Sequence, residues 1–386
     1  MDAEKAGPSE AEALADLLLE DAEDEVEEAY YLAPPLVLTW RKFRKHNLAV
    51  ISAVVLLILY LLVLFAEFIS PHSPHERHVE YAQAPPQRLR FIDSEGRFHL
   101  QPFVYGTEQQ MDEMFIRTYP PITDEIYPVR LFVRGAPYKM WNFLRTDVHL
   151  FGADPEAPLF LLGTDGDGRD LLSRLIFGTR LSLSIGLLGV ALSFLLGIII
   201  GGISGYFGGV TDTIVQRFIE ILRAFPSLPL WMALSAALPA NWSVVRVYFF
   251  ITLILSILGW TGMARVVRGK FLAVREEAFV KAARLSGANT AWIIRRHLVP
   301  SFMSHIIAVA TLSVPGMIIG ETTLSFLGVG LRSPAISWGV LLQDAQQVQV
   351  IVRLPWMLLP AVMVIIAVLA FNFVGDGLRD AADPYL

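Results

Sequence analysis

Six apolar runs, at roughly 48–69, 181–206, 214–238, 247–267, 303–323 and 356–376, constrain this chain more than any other feature. Each approaches the ~20 residues that a helix needs to cross a hydrocarbon core of about 30 Å. Inside such a core every backbone N–H and C=O must be satisfied, so the runs must be helices. The third is the weakest, interrupted by Arg223, Pro226 and Pro229. With 54% hydrophobic residues over 386 positions, the chain reads as an all-α polytopic membrane protein of six transmembrane helices.

The formal charge of −6 averages over opposed regions. Residues 1–33 are acidic from Asp2 to Glu28, with Lys5 the single base. Such a tail cannot bury a core and is expected to be disordered. After Pro34, residues 34–47 form a basic amphipathic elbow, Trp40-Arg41-Lys42-Phe43-Arg44-Lys45-His46, suited to an anionic inner leaflet. The loop between the fourth and fifth runs carries Arg265, Arg268, Lys270, Arg275, Lys281, Arg284, Arg295 and Arg296 against Glu276 and Glu277. Excess Lys and Arg mark cytoplasmic loops. Both basic segments therefore belong inside, and six crossings leave both termini cytoplasmic. Arg265 is read as snorkelling to the interface. With no cysteine, thiolate chemistry and disulfides are excluded.

Residues 70–180, after the first span (48–69), then lie outside the cytoplasm. A connection this long and polar predicts a small β-containing folded insert. Leu89–Phe91 and Phe98–Leu100 flank Asp93-Ser94-Glu95-Gly96 as a β-hairpin, and Val129–Val133 is a further strand candidate. His72, His75 and His78 are read as an exposed polar loop rather than metal ligands, because Pro71 and Pro74 prevent a helix that would align them. No metal site is expected.

Between the fourth and fifth runs, residues 268–300 include Arg275-Glu276-Glu277-Ala278-Phe279-Val280-Lys281-Ala282-Ala283-Arg284-Leu285-Ser286-Gly287. Lipid has no use for this basic, Ala-rich segment; a soluble partner does. Phe279, Ala282, Ala283 and Ser286 share one face of a short helix, and Gly287 can end it in the left-handed conformation. Lys281 and Arg284 are placed to meet acidic residues on a partner's groove. Pro300 can start the next span, where its missing N–H costs little. The segment resembles the EAA loop of membrane subunits of ATP-binding-cassette importers, which docks on the ATPase subunit. Lys281 stands in place of the usual Glu, and His297 where many members carry Ile. The resemblance assigns coupling to Phe279, Lys281, Ala282, Ala283, Arg284, Gly287 and Pro300.

Leu162-Gly163-Thr164-Asp165-Gly166-Asp167-Gly168-Arg169-Asp170, continuing to Arg180, resembles the approach to the second span in the dipeptide, oligopeptide and nickel permease branch. Asp165, Asp167, Gly168, Arg169 and Asp170 are read as a structural turn, with Asp167 a candidate N-cap. A calcium loop fails, because Asp170 takes the required Gly position and Ile176 that of the bidentate Glu. Glu321–Gly330, Ser337-Trp338-Gly339 and Phe371–Asp380 resemble the same branch. The likeness covers about 40–70 and 160–386; the tail and the insert inherit nothing from it.

Within the core at 181–386, Glu321 near the outer end of the fifth span must face the bundle or water. It either lines an outer gate or serves as a structural partner. Val314-Pro315-Gly316 is expected to kink that span, with Pro315 and Gly316 exposing backbone to a translocation path. The glycines of the second span, among them Gly197 and Gly201, allow close helix packing.

The resemblance implies a type I importer permease carrying dipeptides or oligopeptides, or else opines, plant oligosaccharides or nickel. Its implied partners are a second homologous permease, two ATPase subunits, a periplasmic or lipid-anchored solute-binding protein and membrane lipid, in a bacterial inner membrane. Nucleic acid is not among them. No Gly-x-x-x-x-Gly-Lys-Ser/Thr loop occurs; Gly262 to Lys270 comes nearest with the wrong spacing. The chain is therefore expected to be no enzyme and to bind no cofactor, with ATP and Mg held by partner subunits. A channel or secondary carrier is the remote alternative, and a membrane enzyme is disfavoured by the lack of a catalytic cluster.

Overall fold

Why the chain folds as it does follows from where its apolar surface can be hidden. The computed structural model describes residues 35–113, 117–141, 143–153 and 158–382. The acidic segment at 1–33 lies outside the described residues. The elbow is helix α1 (Pro35–Lys45), followed by α2 (Asn47–Leu64) and the short α3 (Ala66–Ile69). His46 separates α1 from α2 by accepting from the N–H of Ala49, an N-cap that satisfies one of the free donors of a helix start.

The insert is built from antiparallel strands. β1 (Arg90–Ile92), β2 (Phe98–Thr107) and β5 (Pro121–Pro128) form one sheet; β3 (Gln110–Met111) pairs with β4 (Arg117–Thr118). The expected hairpin is present, with Ile92 opposite Phe98 and Arg90 opposite Phe103 across a register shift. Its turn is held by Asp93, whose carboxylate accepts from the N–H groups of Glu95 and Arg97. The strand expected at Val129–Val133 is the start of β6 (Arg130–Met140), which pairs with β7 (Leu144–Gly152).

The long helices are α4 (Leu171–Phe207), α7 (Val244–Val274), α11 (Met303–Phe326) and, after the short α13 (Val348–Arg353), α14 (Leu359–Ala382). α4 begins ten residues before the span expected from hydropathy. Its 37 residues extend about 55 Å at 1.5 Å per residue, so its first turns project beyond the hydrocarbon. The third span is not one straight helix. It consists of α5 (Gly209–Ala224) and α6 (Ser227–Ala236), bent by 81° at the break before Pro226, where the ring removes a donor. Among the described residues, five helices are thus long and apolar enough to cross, and six if the bent pair is one span.

The core sits where α4, α7, α11 and α14 meet, around Leu183, Ile185, Leu255, Ile318, Phe371 and Trp338. Trp338 has no exposed surface. Its backbone N–H donates to Ser182 and its indole to Thr179, which fixes α12 (Trp338–Asp344) against α4. Along α4, Gly197, Gly201 and Gly205 face α7. A Cβ on Gly201 would lie against the backbone of Ala264, and one on Gly205 against Arg268 and Phe271. Only a glycine seam allows this approach.

Candidate functional site

The loop after α7 is shaped by its own backbone. α8 (Ala278–Leu285) ends as a Schellman motif. The N–H of Ala288 reaches the carbonyl of Ala283 at 3.1 Å, and that of Gly287 reaches Arg284 at 3.0 Å. This closure requires a left-handed residue, and Gly287 has φ +80°. Asn289 then caps α9 (Thr290–Ile293) by accepting from Trp292.

Val280 anchors α8. It is fully buried among Met263, Val267 and Phe271 of α7, Ile293 of α9 and Ile306 of α11. Phe279 is 44% exposed and Leu285 90% exposed; Lys281, Ala282, Arg284 and Ser286 are also exposed, while Ala283 is half-buried. The four residues expected on one face thus divide, and Leu285 joins the outward surface. Arg284 lies over the Tyr206 ring at 5.0 Å, and Lys281 pairs with Glu276 at 3.5 Å. His297 packs between Phe279 and Trp292, at 5.9 and 4.9 Å between ring centroids. Pro300 sits in the short α10 (Val299–Ser301). It does not open the fifth span: Phe302 interrupts the chain and α11 starts at Met303.

Sequence reasoning missed the polar clamp above this helix. Arg268 of α7 makes a bidentate ion pair with Asp212 of α5. Ser204 of α4 donates to the same carboxylate. Arg275 donates to the carbonyls of Gly205 and Tyr206 at 3.2 and 3.3 Å, where a helix C-terminus favours a cation. Neighbouring ends of α4, α5 and α7 and the root of α8 are therefore tied together. The available signal was the lone Asp212 at the start of a hydrophobic run.

At the other end, the turn at 163–170 docks the insert on the bundle. Asp165 accepts from the N–H groups of Asp167 and Arg169 and from the Arg169 side chain at 2.7 Å. Arg174, almost fully buried, bonds Asp165 and lies 3.3 Å from Asp344. Gly168 has φ +77° and packs against the carbonyl of His78. Asp170, rather than Asp167, is the N-cap of α4: it accepts from the N–H of Ser173 at 2.8 Å. Asp167 stays at the surface beside Arg77 and Arg169.

Glu321 is fully buried and accepts from Ser182 at 3.1 Å and Ser325 at 2.9 Å. It links α11 to α4 at this stage of the chain's packing. Pro315 is buried within α11, which runs without interruption, while Gly316 is exposed. His72 and His78 come together, with ring centroids 5.0 Å apart, while His75 stays exposed. A bend at Pro71-His72 and a turn at Pro74-His75, closed by the N–H of Glu76 on the carbonyl of Ser73, bring them together without a helix, so Pro71 and Pro74 do not prevent it.

Comparison with known proteins places this geometry in a family. Residues 194–386 match the family described as binding-protein-dependent transport system inner membrane component. Residues 34–86 match the N-terminal TM domain of oligopeptide transport permease C. The chain is 40% identical over 258 residues to the oligopeptide transport system permease protein OppC of Haemophilus influenzae, covering 66% of this chain and 80% of that protein. It is 40% identical over 226 residues to the dipeptide transport system permease protein DppC of Bacillus subtilis, covering 58% and 68%. Among solved structures, a chain of the inward facing MetNI methionine ABC transporter aligns at TM-score 0.43 and 16% identity, covering 55% of this chain and 98% of that one.

Proposed function

The chain belongs to the family of binding-protein-dependent transport system inner membrane components, and from that premise we propose that it is one transmembrane subunit of an ATP-driven importer of short peptides. The names of its relatives support peptides over opines, oligosaccharides or nickel. The observation that carries the coupling role is α8: a short helix anchored by Val280 and ended by Gly287, with Phe279 and Leu285 left uncovered. Apolar side chains held in water by a capped helix suit a groove on a soluble protein.

In this reading the chain forms half of a translocation pathway with a second homologous permease in the inner membrane of a bacterium. Both termini are cytoplasmic. Two ATPase subunits hold ATP and Mg, and a periplasmic or lipid-anchored solute-binding protein delivers cargo. Closure of the ATPase dimer pushes on residues 279–287. Val280 passes the displacement to α7 and α11 through the shared apolar cluster. The Arg268–Asp212 pair draws α5 along, and the glycine seam moves α4 with α7. A push alters the equilibrium only in so far as the ATPase binds one conformation better than the other. Exposed Gly316 and the outward side of α11 then contribute to the path, while Glu321 holds α11 in register.

The absence of cysteine permits a direct test. Leu285→Cys should react with a membrane-impermeant maleimide only after cells are opened, and should become protected when the ATPase subunits are present. Leu100→Cys, in the insert at 87% exposure, should react in cells whose outer barrier alone is permeabilised. Equal labelling of Leu285→Cys with and without the ATPase sinks the docking role; labelling from outside sinks the orientation.

A further inference from the structure

The loop leaving α3 holds a second site with different chemistry. His72, Glu76 and His78 each offer a ligand atom, and these atoms lie within 4.8 Å of one another. Two of the three carry independent marks of a ligand. The Nε2 of His72 lies 3.1 Å from the carbonyl of Leu159. Donation there fixes the tautomer and leaves Nδ1 with its lone pair free, the arrangement that backbone carbonyls impose on metal-binding imidazoles. The Nε2 of His78 is buried without a hydrogen-bond partner among the described residues, and its nearest acid is Glu76 at 3.8 Å. A buried ring nitrogen with no partner calls for an explanation.

We propose that His72, Glu76 and His78 form a binding site for a divalent cation of the zinc class, which staples the loop between the first span and the insert. Two imidazoles and one carboxylate are a donor set that zinc accepts, with a fourth position for water. Zinc–ligand bonds of about 2.0–2.1 Å put tetrahedral donors about 3.4 Å apart, so binding draws the three side chains together by roughly an ångström. Room exists, because they line a cavity of about 370 Å³. Burial lowers the pKa of both imidazoles, which keeps them in the neutral form that a cation needs. Two other groups face the cavity. The ring nitrogens of His149 lie 2.7 and 3.1 Å from the carbonyls of Ser70 and Ala136, and His149 is not among the three donors that lie within 4.8 Å of one another. Arg134 is exposed and can turn to solvent.

The staple has a mechanical consequence. His78 donates its backbone N–H to the carbonyl of Gly168, in the turn that leads into α4. A metal on His78 therefore fixes the insert at the point where it meets the bundle.

The test uses the full chain, purified with its companion subunits through a tag that contains no histidine. After stripping with EDTA and incubation with zinc chloride, unbound zinc is removed and bound metal is counted by mass spectrometry. One zinc per chain is expected, together with a higher unfolding temperature in zinc. His72→Ala and His78→Ala should lose the metal, and Glu76→Gln, on an exposed side chain, should bind at least ~10-fold more weakly. His75→Ala and His99→Ala should bind as the parent does. A parent chain that retains no zinc overturns the site, as does unchanged zinc affinity in Glu76→Gln and His78→Ala. Because Glu76→Gln keeps the packing of both rings against Phe160, misfolding of a histidine variant cannot mask the result.

Discussion

Arg268 on α7 grips Asp212 on α5 through both its Nε and an Nη, at the end of the bundle next to α8. The pair is mostly shielded, with 32% and 16% of the two side chains exposed. It stands between the root of α8 and the bent third span, so in the proposed coupling it is placed to transmit motion between them.

Removing one partner should therefore cost more than an ordinary surface ion pair. Arg268→Ala leaves the carboxylate with only the neutral donors Ser204 and Gln216; hydrogen bonds to charged groups contribute about 1.5–3 kcal/mol. The expected outcome is a lower unfolding temperature and several-fold slower uptake by the reconstituted complex. The exchange Arg268→Asp with Asp212→Arg should recover part of both losses. An exchange variant no better than Arg268→Ala would show that the pair does not act as a unit.

Gly287 presents a different case, since nothing lies within 4 Å of a Cβ placed there. The cost of a side chain is conformational rather than steric. Holding a residue other than glycine at φ +80° costs about 1–2 kcal/mol, more for a branched side chain. Gly287→Val should unwind the end of α8, sharply reduce co-purification of the ATPase subunits and abolish uptake, with membrane insertion unchanged. Gly287→Asn, which tolerates the left-handed region, should retain most of both. Normal uptake in Gly287→Val would remove the docking role of this loop.

The membrane helices and the hairpin were legible because their signals are local: apolar runs, and turn residues between alternating strands. The start of α4 was not. Ser173, Arg174, Thr179 and Arg180 break the hydropathy of its first turns, yet three of them are buried: Ser173 donates to the cap Asp170, Arg174 pairs with Asp165 of the preceding turn and with distant Asp344, and Thr179 accepts from distant Trp338. The choice of Asp170 over Asp167 as cap is also tertiary, set by docking of 78–84 on the turn. The helical spacing groups Phe279, Ala282, Ala283 and Ser286 on one face of α8, but only the position of Val280 in the core determines that Leu285 points away. The meeting of His72 with His78 depends on Phe160, which packs against both rings.

Glu321 separates structural from transport roles. Its carboxylate accepts two serine hydroxyls from different elements. Glu321→Gln keeps an acceptor and the volume, whereas Glu321→Ala leaves buried donors unpaired beside a cavity, at about 1–3 kcal/mol for the polar groups alone. Glu321→Ala should give less folded protein in the membrane, and Glu321→Gln near-parental yield and uptake. Parental stability with lost uptake in Glu321→Gln would instead assign the charge itself to transport.

Asp170 should make stability depend on pH. Burial pushes its carboxyl up to about 6, despite the opposing bonds from Ser173. A carboxyl raised on folding binds its proton more tightly in the folded state than in the unfolded chain, where it titrates near 3.8. Its contribution to stability is complete below that value and is lost as pH rises through about 6, an effect on the order of 3 kcal/mol for two pKa units. Asp170→Asn retains an N-cap acceptor but cannot titrate. The unfolding temperature of the parent, relative to this variant, should therefore fall between pH 4 and pH 6.5 and level off above pH 7. Subtracting the variant removes the contributions of the other acids around Arg174. A difference that stays flat across that range would mean that water or a cation reaches Asp170 and keeps it ionised.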